Sequence, residues 1–188
     1  MRIISGSFKG KKILIPKDRL TRPLKDLTKE SIFNIIKHSN LLDIDLKDSN
    51  VLDLFSGIGS FGLECLSRGA KNVTFLENYK DALFILKKNI NNLEQNNHSK
   101  IIEKDIFSEN TIKSLDSKFD IIFMDPPYKE KRLSKLLDMI MKLKLLNNNG
   151  VIIIHRHKKE EDQFPKKFNL IIKKSYGVSK IIFGNSLS

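Results

Sequence analysis

The stretch with the most chemistry per residue is Asp125-Pro126-Pro127-Tyr128, which terminates the apolar run Phe119 to Met124. β-Branched and aromatic residues make that run a buried strand, and two prolines without N–H groups stop its ladder. Proline also keeps the residue before it out of the helical region, so Asp125 and Pro126 are both extended and their acceptors point in fixed directions. Alone, a Pro-Pro pair is an ordinary strand terminator. An exocyclic amine on a nucleobase, however, is a poor nucleophile because its lone pair is drawn into the ring. It reacts once two acceptors hold its N–H groups and turn it toward tetrahedral geometry. The Asp125 carboxylate and the Pro126 carbonyl form such a pair, the prolines fix it in advance, and Tyr128 offers a ring to stack on the base. Held in line with an electrophilic methyl group, such an amine needs positioning and electrostatics rather than a covalent intermediate or a metal.

A second motif, VLDLFSGIGSFGLECLSRGA, covers Val51 to Ala70. A strand ending near Phe55 meets the glycine-rich turn Gly57-Ile58-Gly59-Ser60-Phe61-Gly62 and then a helix. The missing side chains let a ligand approach the backbone and the helix N-terminal N–H groups. Glu77 ends the next strand, 20 residues after Gly57, where a carboxylate can take both hydroxyls of a ribose. The combination indicates a nucleoside-containing cofactor, with NAD and S-adenosylmethionine both open. Asp53, inside the strand before the glycines, would repel a pyrophosphate at the turn but could face an ammonium or sulfonium charge. The alternative for Asp53 is a structural acid capping the turn's N–H groups. Asp105, read as ending the third strand in KIIEKDIF, can accept from an adenine amine with Ile106 beside the ring, or it can cap the next helix.

These residues need a scaffold that brings strand ends together. From residue 51 onward short apolar runs alternate with helical patterns: VLDLF then FGLECLSR, NVTFLE then DALFILKKNINNL, KIIEKD then SENTIKSL, FDIIFMD then RLSKLLDMIMKLKLL, and finally VIIIH. That alternation predicts an α/β fold, a mostly parallel sheet with helices on both faces. Leu133, Leu136, Leu137, Ile140 and Met141 form a core-facing helical stripe, with NNNG after it as a candidate C-cap. FNLIIKKS and VSKIIF, separated by Tyr-Gly, read as an antiparallel pair closing the sheet's edge. Residues 1–50 form a small extension of the same single domain, with RIISG and KKILIP as a hairpin and a helix that turns Ile32, Phe33, Ile35 and Ile36 to the core. Residues 51–188 form the catalytic core.

The net charge is +12 over 188 residues, which favours a polyanionic partner such as nucleic acid over an acidic small molecule. A lysine-, asparagine- and isoleucine-rich composition inflates that total, so position matters more. Residues 1–25 hold Arg2, Lys9, Lys11, Lys12, Lys17, Arg19, Arg22 and Lys25 against Asp18 alone. A second basic stretch, HRHKKEEDQFPKKF, carries three consecutive acids and reads as a solvated face. Cys65 is the only cysteine and its setting GLECL marks a core residue, not a disulfide or metal site. With no apolar stretch near membrane-span length and no signal-peptide pattern at the N-terminus, a cytoplasmic protein is expected.

DPPY after DLFSGIGSFG, with Glu77 between them, resembles the amino-directed class of S-adenosylmethionine-dependent methyltransferases. RIISGSFKGKKILIP, TRPLKDLTKESIFNII and VLDLFSGIGSFGLECLSRGA together resemble the RsmD family, the 16S ribosomal RNA guanine-N2 methyltransferases, over nearly the full chain. The resemblance implies a Rossmann-like class I methyltransferase fold with seven strands and S-adenosylmethionine as cofactor. It places Asp53, Phe55, Gly57, Gly59, Glu77, Asp105 and Ile106 around that cofactor, and Asp125, Pro126, Pro127 and Tyr128 around a guanine. It also implies 16S rRNA as partner; a small-subunit particle is the expected setting, the N-terminal charge excess marks Lys9, Lys11, Lys12, Arg19, Arg22 and Lys25 for its phosphates, and a monomer without a metal is expected. The chain departs from the family pattern in two places: Leu24 stands where a threonine is usual, and His155-Arg156-His157 stand where the fifth strand commonly ends in a Val-Glu-like pair. His155 and His157 share one strand face, but two imidazoles without a third ligand make a poor metal site, and they read as polar strand-end residues.

Four rivals stay open. A protein-glutamine methyltransferase uses a related Asn-Pro-Pro-Tyr motif, and the basic N-terminus weighs against it. A DNA adenine or cytosine methyltransferase would need room for a target-recognition domain. A non-catalytic RNA-binding module would not require a directed acceptor pair, and an NAD dehydrogenase meets the obstacle of Asp53.

Overall fold

The computed structural model describes residues 1–16 and 24–187; Arg19 and Arg22 lie outside the described residues. Among the described residues, five α-helices and seven β-strands alternate as β1 (Asn50–Leu54), α2 (Ser60–Ser67), β2 (Asn72–Leu76), α3 (Lys80–Asn92), β3 (Ser99–Ile102), α4 (Glu109–Lys113), β4 (Phe119–Met124), α5 (Leu133–Lys142) and β5 (Leu146–His157), preceded by α1 (Asp26–His38) and followed by β6 (Phe168–Tyr176) and β7 (Ser179–Ser186). The strands form one sheet in the order β3-β2-β1-β4-β5-β7-β6. Strands β1 to β5 are parallel, β7 runs antiparallel to β5, and β6 pairs antiparallel with β7 at the edge. The chain order reverses direction between β1 and β4, so the carboxyl ends of these two strands open the crevice where such sheets hold ligands.

Apolar side chains divide between the two faces of the sheet. On one face Phe33 stacks on Phe61 at 5.3 Å between ring centroids, and Phe61 on Phe123 at 3.9 Å. On the other, the α5 stripe of Leu133, Leu136, Leu137, Ile140 and Met141 buries against β4 and β5. Gly62 lets α2 lie directly on β2, since a Cβ there would stand 2.4 Å from Phe75 Cε1. Cys65 is a buried core residue.

The N-terminal extension packs on α2. Its two arms meet in a single antiparallel bridge, Arg2 to Lys12, rather than a ladder of strands. Glu64, fully buried on α2, accepts the N–H groups of Ile4 at 2.8 Å and Ser5 at 3.0 Å. Lys29 of α1, also fully buried, donates to the Arg2 carbonyl at 3.2 Å and lies 3.8 Å from Glu64. Asn89 of α3 pairs with the Leu14 backbone through both its amide oxygen and nitrogen and reaches the Ile58 carbonyl at 3.1 Å. Leu24, the departure from the family's threonine, is buried in the same core as Ile3 and Ile13.

Two expectations need correction. NNNG does not cap α5: Asn147 to Gly150 lie inside β5. The helix ends instead at Lys144, whose φ is 51°, with the Leu145 N–H bonded to the Ile140 carbonyl and the Lys144 N–H to the Met141 carbonyl. That is the left-handed Schellman ending, and Glu94 and Gly69 end α3 and α2 in the same way. Nor is HRHKKEEDQF simply a solvated face. Arg156 is 1% exposed and bonded to Asp162 at 2.8 Å, and Lys180 of β7 lies 3.1 Å from the other Asp162 oxygen.

Candidate active site

The glycine turn is built from backbone geometry that few residues adopt. Phe55 follows β1 with φ 60°, Gly57 has φ 55° and Gly59 has φ 81°. Ser56 anchors the turn, its hydroxyl donating to the Asp53 carbonyl at 2.6 Å and its N–H to the Leu76 carbonyl at 3.0 Å. Asp53 is buried within β1 and its Oδ2 accepts the Gly62 N–H at 3.0 Å, tying the strand to the first turn of α2. Burial pushes its pKa up to about 8; the Gly62 N–H opposes that rise, and the charges of Asp125 and Glu77 add to it. An acid so placed is ready for a cation, which would restore the charged form.

Glu77 follows the last residue of β2 and clamps the turn. Its Oε2 accepts the Gly57 N–H at 2.8 Å, and its Oε1 accepts those of Asn78 at 2.9 Å and Tyr79 at 2.8 Å. A carboxylate has about four acceptor positions, so capacity for a ribose hydroxyl remains. Phe55, Leu76, Glu77, Asn78, Lys104 and Ile106 line one cleft. Asp105 does not end the third strand, because β3 stops at Ile102. Nor does it cap α4, whose N-cap is Ser108. Its carboxylate instead accepts the Phe107 N–H at 3.0 Å, and it is exposed at the cleft's rim beside buried Ile106. Phe107, unmarked by any motif, packs on Phe55 with centroids 5.8 Å apart. A buried acid, a glutamate with spare acceptor capacity and an apolar lining fit a cationic nucleoside cofactor.

Asp125 to Tyr128 leave β4 at the same edge. The Asp125 N–H faces the Leu54 carbonyl at 3.5 Å, so the loop begins beside the end of β1. Because Pro126 and Pro127 donate nothing, the loop takes donors from β5 in addition to its own Glu130 N–H, which reaches the Pro127 carbonyl at 2.8 Å. Arg156 donates to the carbonyls of Pro127 and Glu130, each at 3.1 Å. His155 Nδ1 lies 2.8 Å from Asp125 Oδ1 and its Nε2 lies 2.9 Å from Ser179 Oγ. His157 meets the Tyr128 ring edge-on at 5.2 Å. All three residues of the strand end thus touch the DPPY loop, a role that polarity at a strand end did not reveal. Their one sequence signal was departure from the family pattern.

Of the proposed RNA-contacting residues, Lys9, Lys11 and Lys12 stand apart from this crevice. Lys9, Lys11 and Lys12 are exposed around the turn of the N-terminal arms. That turn is bonded to Ser67 at the far end of α2 through the N–H groups of Ser7 and Phe8. Since α2 has eight residues, the separation along the helix is about 12 Å. Lys25 is exposed at the N-cap of α1.

Residues 1–185 match the family model described as "Conserved hypothetical protein 95". The chain is 33% identical to the ribosomal RNA small subunit methyltransferase D of Buchnera aphidicola (subsp. Baizongia pistaciae), over 96% of this chain and 88% of that protein. It is 30% identical to the protein of the same name from Haemophilus influenzae, over 95% and 90% of the two chains. A solved Haemophilus influenzae chain named a "putative methylase" superposes with a TM-score of 0.78 at 28% identity, covering all of this chain and 98% of that one. The crevice, the fold and these relatives agree, and the chain belongs to the RsmD family of methyltransferases, with their Rossmann-like class I fold.

Proposed function

We propose that this chain transfers a methyl group from S-adenosylmethionine to the exocyclic N2 amine of a guanine in 16S rRNA, acting as a cytoplasmic monomer on a small-subunit particle. The observation that carries the reading is the placement of Asp125 and Pro126 beside the end of β1, where the charge of Asp125 acts on the buried Asp53 of the cofactor crevice. The proposed acceptor pair therefore begins beside the end of the strand that carries Asp53. Membership of the RsmD family supports rRNA as the substrate class.

When bound, S-adenosylmethionine supplies an electrophilic methyl group on a sulfonium sulfur. Asp53 would offset the positive charge, while Glu77 would hold the ribose and Ile106 the adenine face. Asp125 and the Pro126 carbonyl accept the two N–H groups of the amine, which directs its lone pair along the line of attack. The Asp125 carboxylate is also placed to receive the proton that the methylated amine must lose. Tyr128, braced by His157, stacks on the base. Lys9, Lys11, Lys12, Arg19, Arg22 and Lys25 contact phosphates of the RNA.

The test is methyl transfer from labelled cofactor to undermethylated small-subunit particles, comparing wild type with Asp125→Ala. Transfer that depends on Asp125 is expected. Undiminished transfer by the variant would remove the proposed role of Asp125.

A further inference from the structure

We propose that His155 is a positioning residue for this transfer: its bond to Oδ1 fixes the orientation of the Asp125 carboxylate so that Oδ2 meets the target amine. The inference rests on the methyl-transfer reading and extends it to residues outside the family pattern. Asp125 sits in a loop with two successive prolines, where no backbone N–H of Pro126 or Pro127 can hold it. Its partner comes from the next strand, where His155, 8% exposed in its side chain, places Nδ1 2.8 Å from Oδ1. An ionised carboxylate only accepts, so Nδ1 carries the proton. In the neutral ring Nε2 then accepts from the Ser179 hydroxyl at 2.9 Å.

The atoms run Asp125, His155, Ser179 in the order of a hydrolytic triad, but the direction of service is reversed. Ser179 is 5% exposed and cannot meet a substrate. It fixes the imidazole, and the imidazole fixes the carboxylate. The carboxylate is held through Oδ1, and among the described residues no donor takes Oδ2 or the Pro126 carbonyl. One carboxylate oxygen and one carbonyl match the two N–H groups of a single amine. Arg156 stiffens the same loop from the other face of β5 by holding the Pro127 and Glu130 carbonyls while bonded to Asp162.

The experiment compares His155→Leu and His155→Asn with the wild type on undermethylated small-subunit particles, with thermal stability and cofactor affinity measured in parallel. His155→Leu should lower kcat by about ten- to a hundredfold, with KM for the particle and the cofactor Kd within about twofold. His155→Asn keeps an N–H near the Nδ1 position and should return kcat to within about fivefold of wild type. A folded His155→Leu at wild-type kcat, or a folded His155→Asn as slow as His155→Leu, would overturn the assignment. A readout independent of turnover is ¹⁵N NMR of histidine-labelled full-length protein. Nδ1 of His155 should be protonated and its resonance should move in Asp125→Asn; the opposite tautomer would overturn the assignment. If the wild type methylates no RNA, the methyl-transfer reading falls, and the NMR result still decides whether His155 holds Asp125.

Discussion

Replacing Asp53 with asparagine should remove a proton release that accompanies cofactor binding. In the free protein burial holds the Asp53 pKa up at about 8, aided by the charges of Asp125 and Glu77. At pH 7 such a group is about 90% protonated, and at pH 9 about 10%. A cofactor carrying ammonium and sulfonium charges favours the ionised form. Binding at pH 7 should therefore release about 0.9 proton from this site, and binding at pH 9 about 0.1. Titration calorimetry in buffers of different ionisation enthalpy reads this number as a slope, and the difference between wild type and Asp53→Asn isolates it from the cofactor's own amine. The same shift acts on stability. The folded pKa is raised above the ordinary value of 3.8, so between about pH 4 and pH 8 the folded state binds more protons. Its stability therefore falls as pH rises through that window and levels off above it. Asp53→Asn should flatten that fall. Equal proton release by wild type and variant at pH 7, or none by the wild type, would refute the claim that Asp53 awaits a cation.

Gly59→Ala places a Cβ at φ 81° and 2.4 Å from Leu86 Cδ1, and should cost about 1–3 kcal/mol in a thermal or denaturant unfolding measurement. A loss below experimental error would show that the glycine turn tolerates a side chain. Glu64→Ala removes the acceptor of two N-terminal N–H groups and leaves Lys29 buried beside Asp26 at 3.5 Å. It should cost about 3–5 kcal/mol in urea unfolding with an unchanged slope, and less than 1 kcal/mol would mean that the extension is held by its apolar contacts alone. Replacing Lys9, Lys11 and Lys12 with glutamine should reduce the salt dependence of RNA affinity by roughly 0.7–0.9 for each phosphate these lysines neutralise. An unchanged slope would assign them to solubility.

The alternation of apolar runs made the sheet legible because a parallel strand is buried on both faces and a crossover helix on one. The alternation does not fix strand order; the pairing of β1 with β4, which places Asp125, comes from the structure. Helix ends were less legible. Lys144 and Glu94 adopt a left-handed backbone without being glycine, so turn chemistry gave no warning and NNNG drew the cap to the wrong place. The site divided along similar lines. Gly57, Gly59, Asp53 and Glu77 stand in a motif whose spacing is local. His155, Ser179 and Arg156 reach the loop through strand pairing, across 30 residues between His155 and Asp125. Neither periodicity nor spacing encodes that contact. Arg156, Asp162 and Lys180 also look like surface charges until the register of β5 with β7 brings them together inside.

The most direct test of the account is to label undermethylated small-subunit particles with methyl-labelled S-adenosylmethionine and this protein, then identify the modified nucleoside by mass and map its position. The account predicts one labelled N2-methylguanosine in 16S rRNA, lost with Asp125→Ala. Label on a ribose, a ring nitrogen or a ribosomal protein, or no label on RNA at all, would contradict it.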